Sequence, residues 1–406
     1  MVSPVSTQSR IQSLDVLRGF AILGILIMNI QSFSMPEAAY LNPMAYGDFS
    51  AINKWVWILS HTFAAHKFMS IFSMLFGAGI FLMTSKIESQ GRHPAGFHYR
   101  RIFWLLVIGL IHAYGFWYGD ILVGYAMCGI LVFLFRKMKP GWLILIGILT
   151  MSVGFGIYMF FGTTMDFWPP EALESTRSFW LPAIEDIQKE VHAYRGTWMD
   201  AFHQRYPMAL FMESMVFLVN YSWHTGGLML IGMGLFKWGI LSAAKSNRFY
   251  LLHMAVAFIL GFGLVILGLR YNFSHDWAFE YSMYQGAQFN YWGSLFVAYG
   301  YVCLVMLLIK SKFLKGCKTS LALVGRSALS NYLFQTLVCT TLFYGYGFGL
   351  FGRVSRASSL FIIVIIWALQ IMLTHIWMHH FKFGPVEWLW RSLTYWKRQP
   401  LQKKGT

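Results

Sequence analysis

Residues 16–35, VLRGFAILGILIMNIQSFSM, form an apolar stretch of twenty residues that contains one charged side chain. A helix needs about 20 mainly apolar residues to cross roughly 30 Å of hydrocarbon, so this stretch is long enough to span a membrane. Similar stretches recur along the chain, and together they predict about ten transmembrane helices. The other nine lie at residues 54–83, 101–118, 120–135, 141–161, 207–236, 250–269, 291–309, 319–344 and 358–380.

The composition of the chain agrees with a membrane protein. Of its 406 residues, 57% are hydrophobic and 12% are charged, and the mean hydropathy is +0.52. Soluble domains carry about 25% charged residues, so this chain has too few charges to cover a surface that faces water. We therefore predict an all-α polytopic membrane protein and exclude a soluble globular domain.

The charged residues predict the orientation of the helices. An even number of spans puts both termini on one side, and basic residues favour the cytoplasmic side. With a cytoplasmic N-terminus, most of the 32 Lys and Arg fall in cytoplasmic segments and most acids fall outside, although Arg353 and Arg356 are exceptions. The sequence thus predicts both termini in the cytoplasm, and it attributes the net charge of +16 to contact with anionic membrane lipid rather than with nucleic acid.

The pattern divides the chain into three parts. Residues 1–161 and 207–406 each contain five predicted spans. Between them, residues 162–206 mix charged residues with apolar residues at helical spacing, which predicts an external cap of amphipathic helices. The oligomeric state is left open. No disulfide framework and no metal site are expected, because the four cysteines have no paired spacing: Cys128, Cys303, Cys317 and Cys339.

Ionisable residues at membrane depth are candidates for function, because an unpaired charge there costs several kcal/mol. His112 and Asp120 flank a tight turn between two predicted spans and lie about two helical turns apart, so they can meet. A histidine oriented by a carboxylate is a suitable general base. His61 is a second candidate, and the alternative for each histidine is a packing role. Lys67 is expected to snorkel or to pair with a buried acid.

Four amides inside predicted spans could bind a substrate: Asn29, Asn220, Asn331 and Gln335. They could equally join neighbouring helices by hydrogen bonds of about 1 kcal/mol each. At the predicted cytoplasmic edge, Arg18, Arg100 and Arg101 could hold the phosphates of an anionic cofactor. The alternative role of these arginines is to anchor the cytoplasmic surface.

Four motifs carry a family likeness that covers nearly the whole chain. Together they resemble the YeiB-like family of bacterial inner-membrane proteins, which implies a multi-pass protein of that membrane. The family has been loosely described as involved in transport. The motifs are RIQSLDVLRGFAILGILIMNI (10–30), GLIHAYGFWYGDILVGYAMCGIL (109–131), VGRSALSNYLFQTLVCTTLFY (324–344) and FKFGPVEWLWRSLTY (381–395).

A more distant likeness lies in the first two spans, in LDVLRGFA (14–21) and KFMSIFSMLFGAGIFLM (67–83). These strings resemble the membrane acyltransferases that modify sugars and polysaccharides, including the heparan glucosaminide acetyltransferase and O-antigen acetylase groups. The resemblance implies a ten-helix core, acyl-CoA as donor and a histidine that delivers the acyl group toward the far side. Asn29 stands where the O-antigen acetylase group has its histidine. The heparan group also carries an asparagine there, so His61 or His112 would serve instead.

Two functions are therefore expected as alternatives. The first is an acyltransferase that moves an acyl group, expected to be acetyl, from cytoplasmic acyl-CoA to a hydroxyl or amine of a small-molecule, glycan or lipid acceptor. In it, His112 and Asp120 are catalytic. The second is a transporter or translocase in which the same polar residues bind a solute or a proton. A structural or accessory membrane protein is a third possibility.

Overall fold

The structure of the chain, a computed structural model, describes residues 12–403, and the regular secondary structure of this part is helical apart from one isolated bridge between Phe381 and Gln402. Arg10 of the first motif lies outside the described residues. The α-helices, in chain order, are α1 (Gln12–Ser34), α2 (Ala38–Leu41), α3 (Ala51–Phe63), α4 (Lys67–Glu88), α5 (Ala95–Gly115), α6 (Leu122–Val132), α7 (Pro140–Thr163), α8 (Pro170–Trp180), α9 (Ile184–Arg195), α10 (Trp198–Phe211), α11 (Ser222–Lys237), α12 (Asn247–Ser274), α13 (Phe279–Tyr281), α14 (Ala287–Lys310), α15 (Lys315–Arg326), α16 (Ala328–Phe343), α17 (Arg356–His380) and α18 (Pro385–Tyr395).

Six helical segments of the described part are long and apolar enough to cross a membrane. The prediction of an all-α chain with membrane-spanning helices is confirmed in this form. The remaining predicted spans correspond to helices that are shorter, interrupted or less apolar, namely α5, α6, α11 with the π-helical turns before it, and α15 with α16. The six segments are Gln12–Ser34, Ala51–Glu88, Pro140–Thr163, Asn247–Ser274, Phe279–Lys310 and Arg356–His380.

Helix α1 lies at the centre of the helix packing. It packs on α4, α15, α16 and α17, and most of its side chains are buried. Glycines allow two of these helices to approach closely, because a Cβ on Gly19 would lie 1.9 Å from the carbonyl oxygen of Leu321. Helices α7, α12 and α17 instead expose apolar side chains such as Ile259 and Phe361, as expected for surfaces that face lipid.

The predicted span at residues 54–83 is interrupted. Helix α3 ends at Phe63 and α4 begins at Lys67, and between them His66 has a left-handed backbone with φ of 65°. The ring of Phe68 packs directly on Gly24, halfway along α1. The break between α3 and α4 therefore lies level with the middle of a candidate membrane span, a depth at which non-helical backbone is found only against protein or a water-filled cavity.

The middle segment of the chain is helical, as the amphipathic spacing predicts. It contains α8, α9 and the first part of α10, which begins at a capping box formed by Thr197 and Asp200. Helix α10 continues across residue 206, so the predicted boundary falls inside a helix. The segment is anchored to the end of α16, because the carbonyl of Tyr194 accepts a hydrogen bond from Gly345 N and the Tyr194 ring packs on Tyr344.

Candidate functional site

The structure brings His112 and Asp120 together, as their spacing predicts, and adds a third group. His112 Nδ1 lies 2.6 Å from Asp120 Oδ2, and His112 Nε2 lies 2.9 Å from the hydroxyl of Thr336. All three side chains are buried. We refer to Asp120, His112 and Thr336 as the relay.

The turn between α5 and α6 positions the acidic end of the relay. Asp120 Oδ1 accepts a hydrogen bond of 2.8 Å from Val123 N, in the first turn of α6. A carboxylate at this position satisfies a free amide and is favoured by the helix dipole. Asp120 thus uses one oxygen to begin α6 and the other to orient His112.

A buried arginine holds the other side of this turn. Arg205 of α10 donates hydrogen bonds to the carbonyls of Tyr114 and Gly115, at the C-terminal end of α5. A cation at a helix C-terminus is stabilised by the terminal carbonyls. The middle segment therefore contacts the last turn of α5, which carries His112. This interaction was not predicted from the sequence.

Thr336 reaches the relay from α16. The first turn of that helix is held by Glu387 of α18, whose Oε1 accepts hydrogen bonds from Leu329 N and Ser330 N. Thr336 is one residue past Gln335 in the third motif but 224 positions from His112. No local pattern distinguishes it from other threonines, which is why the sequence analysis missed it.

The hydrogen bonds of the relay fit one tautomer of His112. With Asp120 as a carboxylate, which only accepts hydrogen bonds, Nδ1 of His112 is the nitrogen that donates. The other ring nitrogen, Nε2, then accepts from the Thr336 hydroxyl. This is the tautomer in which Nε2 can take a proton from a hydroxyl, and the carboxylate stabilises the imidazolium that results.

Aromatic side chains surround the relay. The ring centroids of Tyr332 and Trp117 lie 5.1 Å and 6.3 Å from that of His112. Trp117 stacks on Phe33 of α1, and its indole N–H is buried without a hydrogen-bond partner among the described residues. The relay thus lies in an apolar setting, which strengthens its hydrogen bonds.

Two of the four predicted substrate-binding amides form several hydrogen bonds between helices. Asn331 bonds Val324 O, Ser327 and Thr374, and Gln335 bonds the carbonyl of Ile22 and Gln370, so both link helices in the structure.

Asn220 lies beside Tyr158 of α7. Asn29 is half-buried, and no described residue forms a hydrogen bond with its side chain.

Two of the three predicted cofactor-binding arginines cluster with another basic residue. Arg18 and Arg391 lie close enough to Arg101 to repel its charge. Arg101 lies over the ring of Trp390 at 4.1 Å, Arg100 over that of Trp396 at 4.9 Å, and Arg18 pairs with Asp15. The sequence analysis missed Arg391, because α18 brings it to α5 only in the folded chain.

His61 belongs to a second polar centre at the break between α3 and α4. Its ring stacks on Trp57, and its carbonyl accepts a hydrogen bond of 2.7 Å from Lys67 Nζ. Lys67 is fully buried, and its other partner is Asn290 Oδ1 at 2.6 Å. The expected pairing of Lys67 with a buried acid is not found among the described residues, because an amide and a carbonyl receive its protons. His61 does not contact His112.

Two half-buried glutamates meet near the middle segment. Glu37 N donates a hydrogen bond of 3.0 Å to Glu190 Oε1. Burial and the neighbouring Glu190 raise the pKa of Glu37 to about 8, and burial raises the pKa of Glu190 to about 7. Both carboxyl groups therefore titrate near neutral pH, which the sequence analysis did not predict.

Residues 12–403 contain no candidate metal site, because no three of their His, Cys, Asp and Glu side chains lie together in a way that could hold an ion. The cysteines of this part are unpaired, and Cys317 is the exposed one.

Comparisons with known proteins give a consistent assignment. Residues 235–397 match a family described as "Protein of unknown function (DUF418)". The chain is 32% identical to "Uncharacterized protein YeiB" of Escherichia coli (strain K12), covering 94% of this chain and 95% of that protein. It is 33% identical to "Uncharacterized protein YxaH" of Bacillus subtilis (strain 168), covering 99% and 98%. An "Uncharacterized 39.9 kDa protein in amylase 3'region" of Bacillus acidopullulyticus is 26% identical over 99% of both chains.

Proposed function

The chain belongs to the YeiB-like family, and from this premise we propose that it is a membrane acyltransferase that moves an acyl group from cytoplasmic acyl-CoA to a hydroxyl or amine acceptor on the periplasmic side. The observation that carries the proposal is the relay, in which Asp120 orients His112 and a hydroxyl already occupies His112 Nε2. This is the arrangement that acyl transfer to a hydroxyl or amine needs from a general base.

In the proposed reaction His112 is the general base. The acceptor hydroxyl or amine takes the place of the Thr336 hydroxyl at Nε2 and gives its proton to His112 as it attacks the thioester carbonyl. The carbon–sulfur bond breaks, and the imidazolium returns the proton to the leaving thiolate of CoA. General base catalysis of this kind contributes about 10²–10⁴-fold in rate.

The binding site for the acyl donor, acyl-CoA, is proposed at the arginine cluster. Arg18, Arg100, Arg101 and Arg391 would bind the phosphates of acyl-CoA, with arginine well suited to phosphate geometry. Asn29 follows Arg18 by eleven residues, about three helical turns and about 16 Å, and so lies on the same face of α1. Its free amide would donate a hydrogen bond to the thioester oxygen, a contribution of about 3 kcal/mol in comparable sites.

The proposed activity needs a defined topology. We propose ten membrane crossings in the bacterial inner membrane, with both termini and the arginine cluster in the cytoplasm and α8, α9 and α10 outside as a cap. The distribution of basic residues and the interrupted helices support this arrangement. The relay and Glu190 then lie toward the periplasm, where the acceptor would arrive.

A radiolabelled acetyl-CoA assay tests the proposal. Purified protein is incubated with labelled acetyl-CoA and a bacterial membrane extract as the source of acceptor, and transfer of label is measured together with the unfolding temperature. We expect acetyl-CoA to raise the unfolding temperature. His112→Gln should keep that shift and lose at least about 100-fold in transfer.

The matched control is His253→Gln, because His253 bonds only the carbonyl of Phe249 in its own helix. It should keep normal transfer. The proposal is wrong if acyl-CoA of any chain length neither stabilises the protein nor donates label.

Solute transport is a second candidate function, and the break between α3 and α4 favours it. Interrupted helices at mid-depth are the usual binding sites of secondary transporters. Currents evoked by a panel of solutes in proteoliposomes, without any acyl transfer, would favour transport over the first proposal.

A further inference from the structure

The break between α3 and α4 contains a buried lysine that pairs with no acid of the described residues. Lys67 is fully buried, and its ammonium donates to Asn290 Oδ1 and to the carbonyl of His61. None of the ion pairs among residues 12–403 includes it. A buried ammonium without a counter-charge is strongly destabilising. A lysine has three donors, so one remains for a ligand.

The first turn of α4 adds further donors at the same place. Lys67 N bonds the carbonyl of Ala64 and Ser70 N bonds that of His66. The amides of Phe68 and Met69, which lie between them, have no acceptor among the described residues. Helix α4 has 22 residues, and the unbonded N–H groups at its N-terminus favour a negative charge.

Two histidines complete the surroundings of the break. The ring of His224, on α11, lies 6.1 Å from that of His66, and both are within electrostatic reach of the break. His224 is buried, yet its Nε2 has no partner among the described residues. His66 is exposed and has a left-handed backbone, a strained conformation that is frequent at functional sites. The break is therefore exposed at His66, next to the buried donors.

We propose that the break between α3 and α4 binds a small monovalent anion, held by Lys67 and the free amides of the first turn of α4, with His224 lining the site. One cationic side chain faces the site, and a ligand with a single negative charge would supply the counter-charge that the Lys67 ammonium lacks. Small carboxylates and halides share this chemistry. The inference stands on the break alone and does not depend on acyl transfer.

The test is an anion titration of the purified protein in detergent. Sodium gluconate, whose anion is bulky, is replaced stepwise by sodium acetate or sodium chloride at constant ionic strength, and the unfolding temperature is followed. We expect a saturable rise of at least about 2 °C with one or both small anions, and the better anion identifies the ligand class. Replacement by sulfate, a larger dianion, should give a smaller rise.

Two variants and one control show whether the rise in unfolding temperature arises from anion binding at the break. Lys67→Gln should abolish the rise, and His224→Leu, which keeps the lysine, should weaken the apparent affinity several-fold. Lys237→Gln is the matched control, because Lys237 also donates two hydrogen bonds, but to the carbonyls of Arg136 and Met138, away from the break. It should keep the full rise.

Direct calorimetric titration of the unaltered protein with acetate and chloride keeps the inference testable if Lys67→Gln does not fold. Saturable heat supports the site. Absence of saturable binding would overturn the inference. So would an undiminished rise in unfolding temperature in both Lys67→Gln and His224→Leu. Lys67 would then only stabilise the end of α3 by its hydrogen bond to the carbonyl of His61.

Discussion

At the scale of single residues, buried charges in this protein are satisfied mainly by backbone groups. Asp120 accepts from Val123 N, and Arg205 donates to the carbonyls of Tyr114 and Gly115. These bonds let helix ends lie inside the protein, where unpaired backbone groups would cost free energy. The relay is thus built at the ends of helices, and the helix ends determine where His112 lies.

The glutamate pair predicts how stability depends on pH. An unfolded glutamate has a pKa near 4.5, whereas Glu37 and Glu190 release their protons at about 8 and about 7 in the folded protein. Between these values the folded state holds more protons than the unfolded state, so stability falls as pH rises. We expect Glu190→Gln to flatten the fall in unfolding temperature between pH 5 and pH 8.5, and to unfold a few degrees higher than the unaltered protein at pH 8.5.

The control for this measurement is Glu185→Gln, on the same helix but exposed. Thermal unfolding at several pH values distinguishes the two variants. An identical pH dependence in Glu190→Gln and in the unaltered protein would show that the pair does not titrate in this range.

At the scale of helices, glycine determines how closely the central helices pack. A Cβ on Gly77 of α4 would lie 1.9 Å from the carbonyl oxygen of Met229 on α11, and a Cβ on Gly232 would lie 2.1 Å from that of Met74. The two helices therefore contact each other through backbone atoms at two reciprocal positions. Small residues at such crossings are the usual means of close helix packing in membranes.

This crossing predicts a sharp difference between two neighbouring glycines. Gly77→Ala should destabilise the protein by about 1–3 kcal/mol, because the added methyl group forces α4 and α11 apart. Gly79→Ala should be neutral or slightly stabilising, because the nearest atom to its Cβ is Arg18 Nη2 at 3.9 Å. Thermal unfolding in detergent measures both. Equal tolerance of the two substitutions would contradict the close crossing.

At the scale of the whole molecule, contacts that are distant in sequence join the middle segment to the spans. Arg205 bonds the end of α5, and Arg195 donates to the carbonyl of Phe351 after α16. Helices α9 and α10 therefore lie over the end of the bundle that carries the relay.

The exposed cysteine tests the proposed topology. Cys317, at the start of α15, is the exposed cysteine of the described residues, and the proposed topology puts it in the cytoplasm. A maleimide that does not cross membranes should label it in inverted vesicles and not in intact spheroplasts. In a Cys317→Ser background, Ser175→Cys on exposed α8 should show the opposite pattern. Labelling of both from one side would contradict an external cap.

The amino-acid pattern was sufficient to predict the class of protein and the contacts between residues that are close in the chain. Apolar length predicts the spanning helices, and helical periodicity across a short turn predicts the meeting of His112 and Asp120. Both depend on local geometry, which repeats every 3.6 residues whatever the rest of the chain does. The interruption between Phe63 and Lys67 was not predicted, because long apolar stretches lie on both sides of it and a left-handed backbone at His66 has no signature in the sequence.

The contacts between residues distant in the chain could be found only from the packing of the whole chain. Thr336 meets His112 across 224 positions, Asn290 meets Lys67 across 223, and Arg391 joins Arg18 and Arg101 from the last helix. Nothing in a helical repeat specifies which helix lies beside which. That choice depends on how side chains and glycines of all the helices fit together at once.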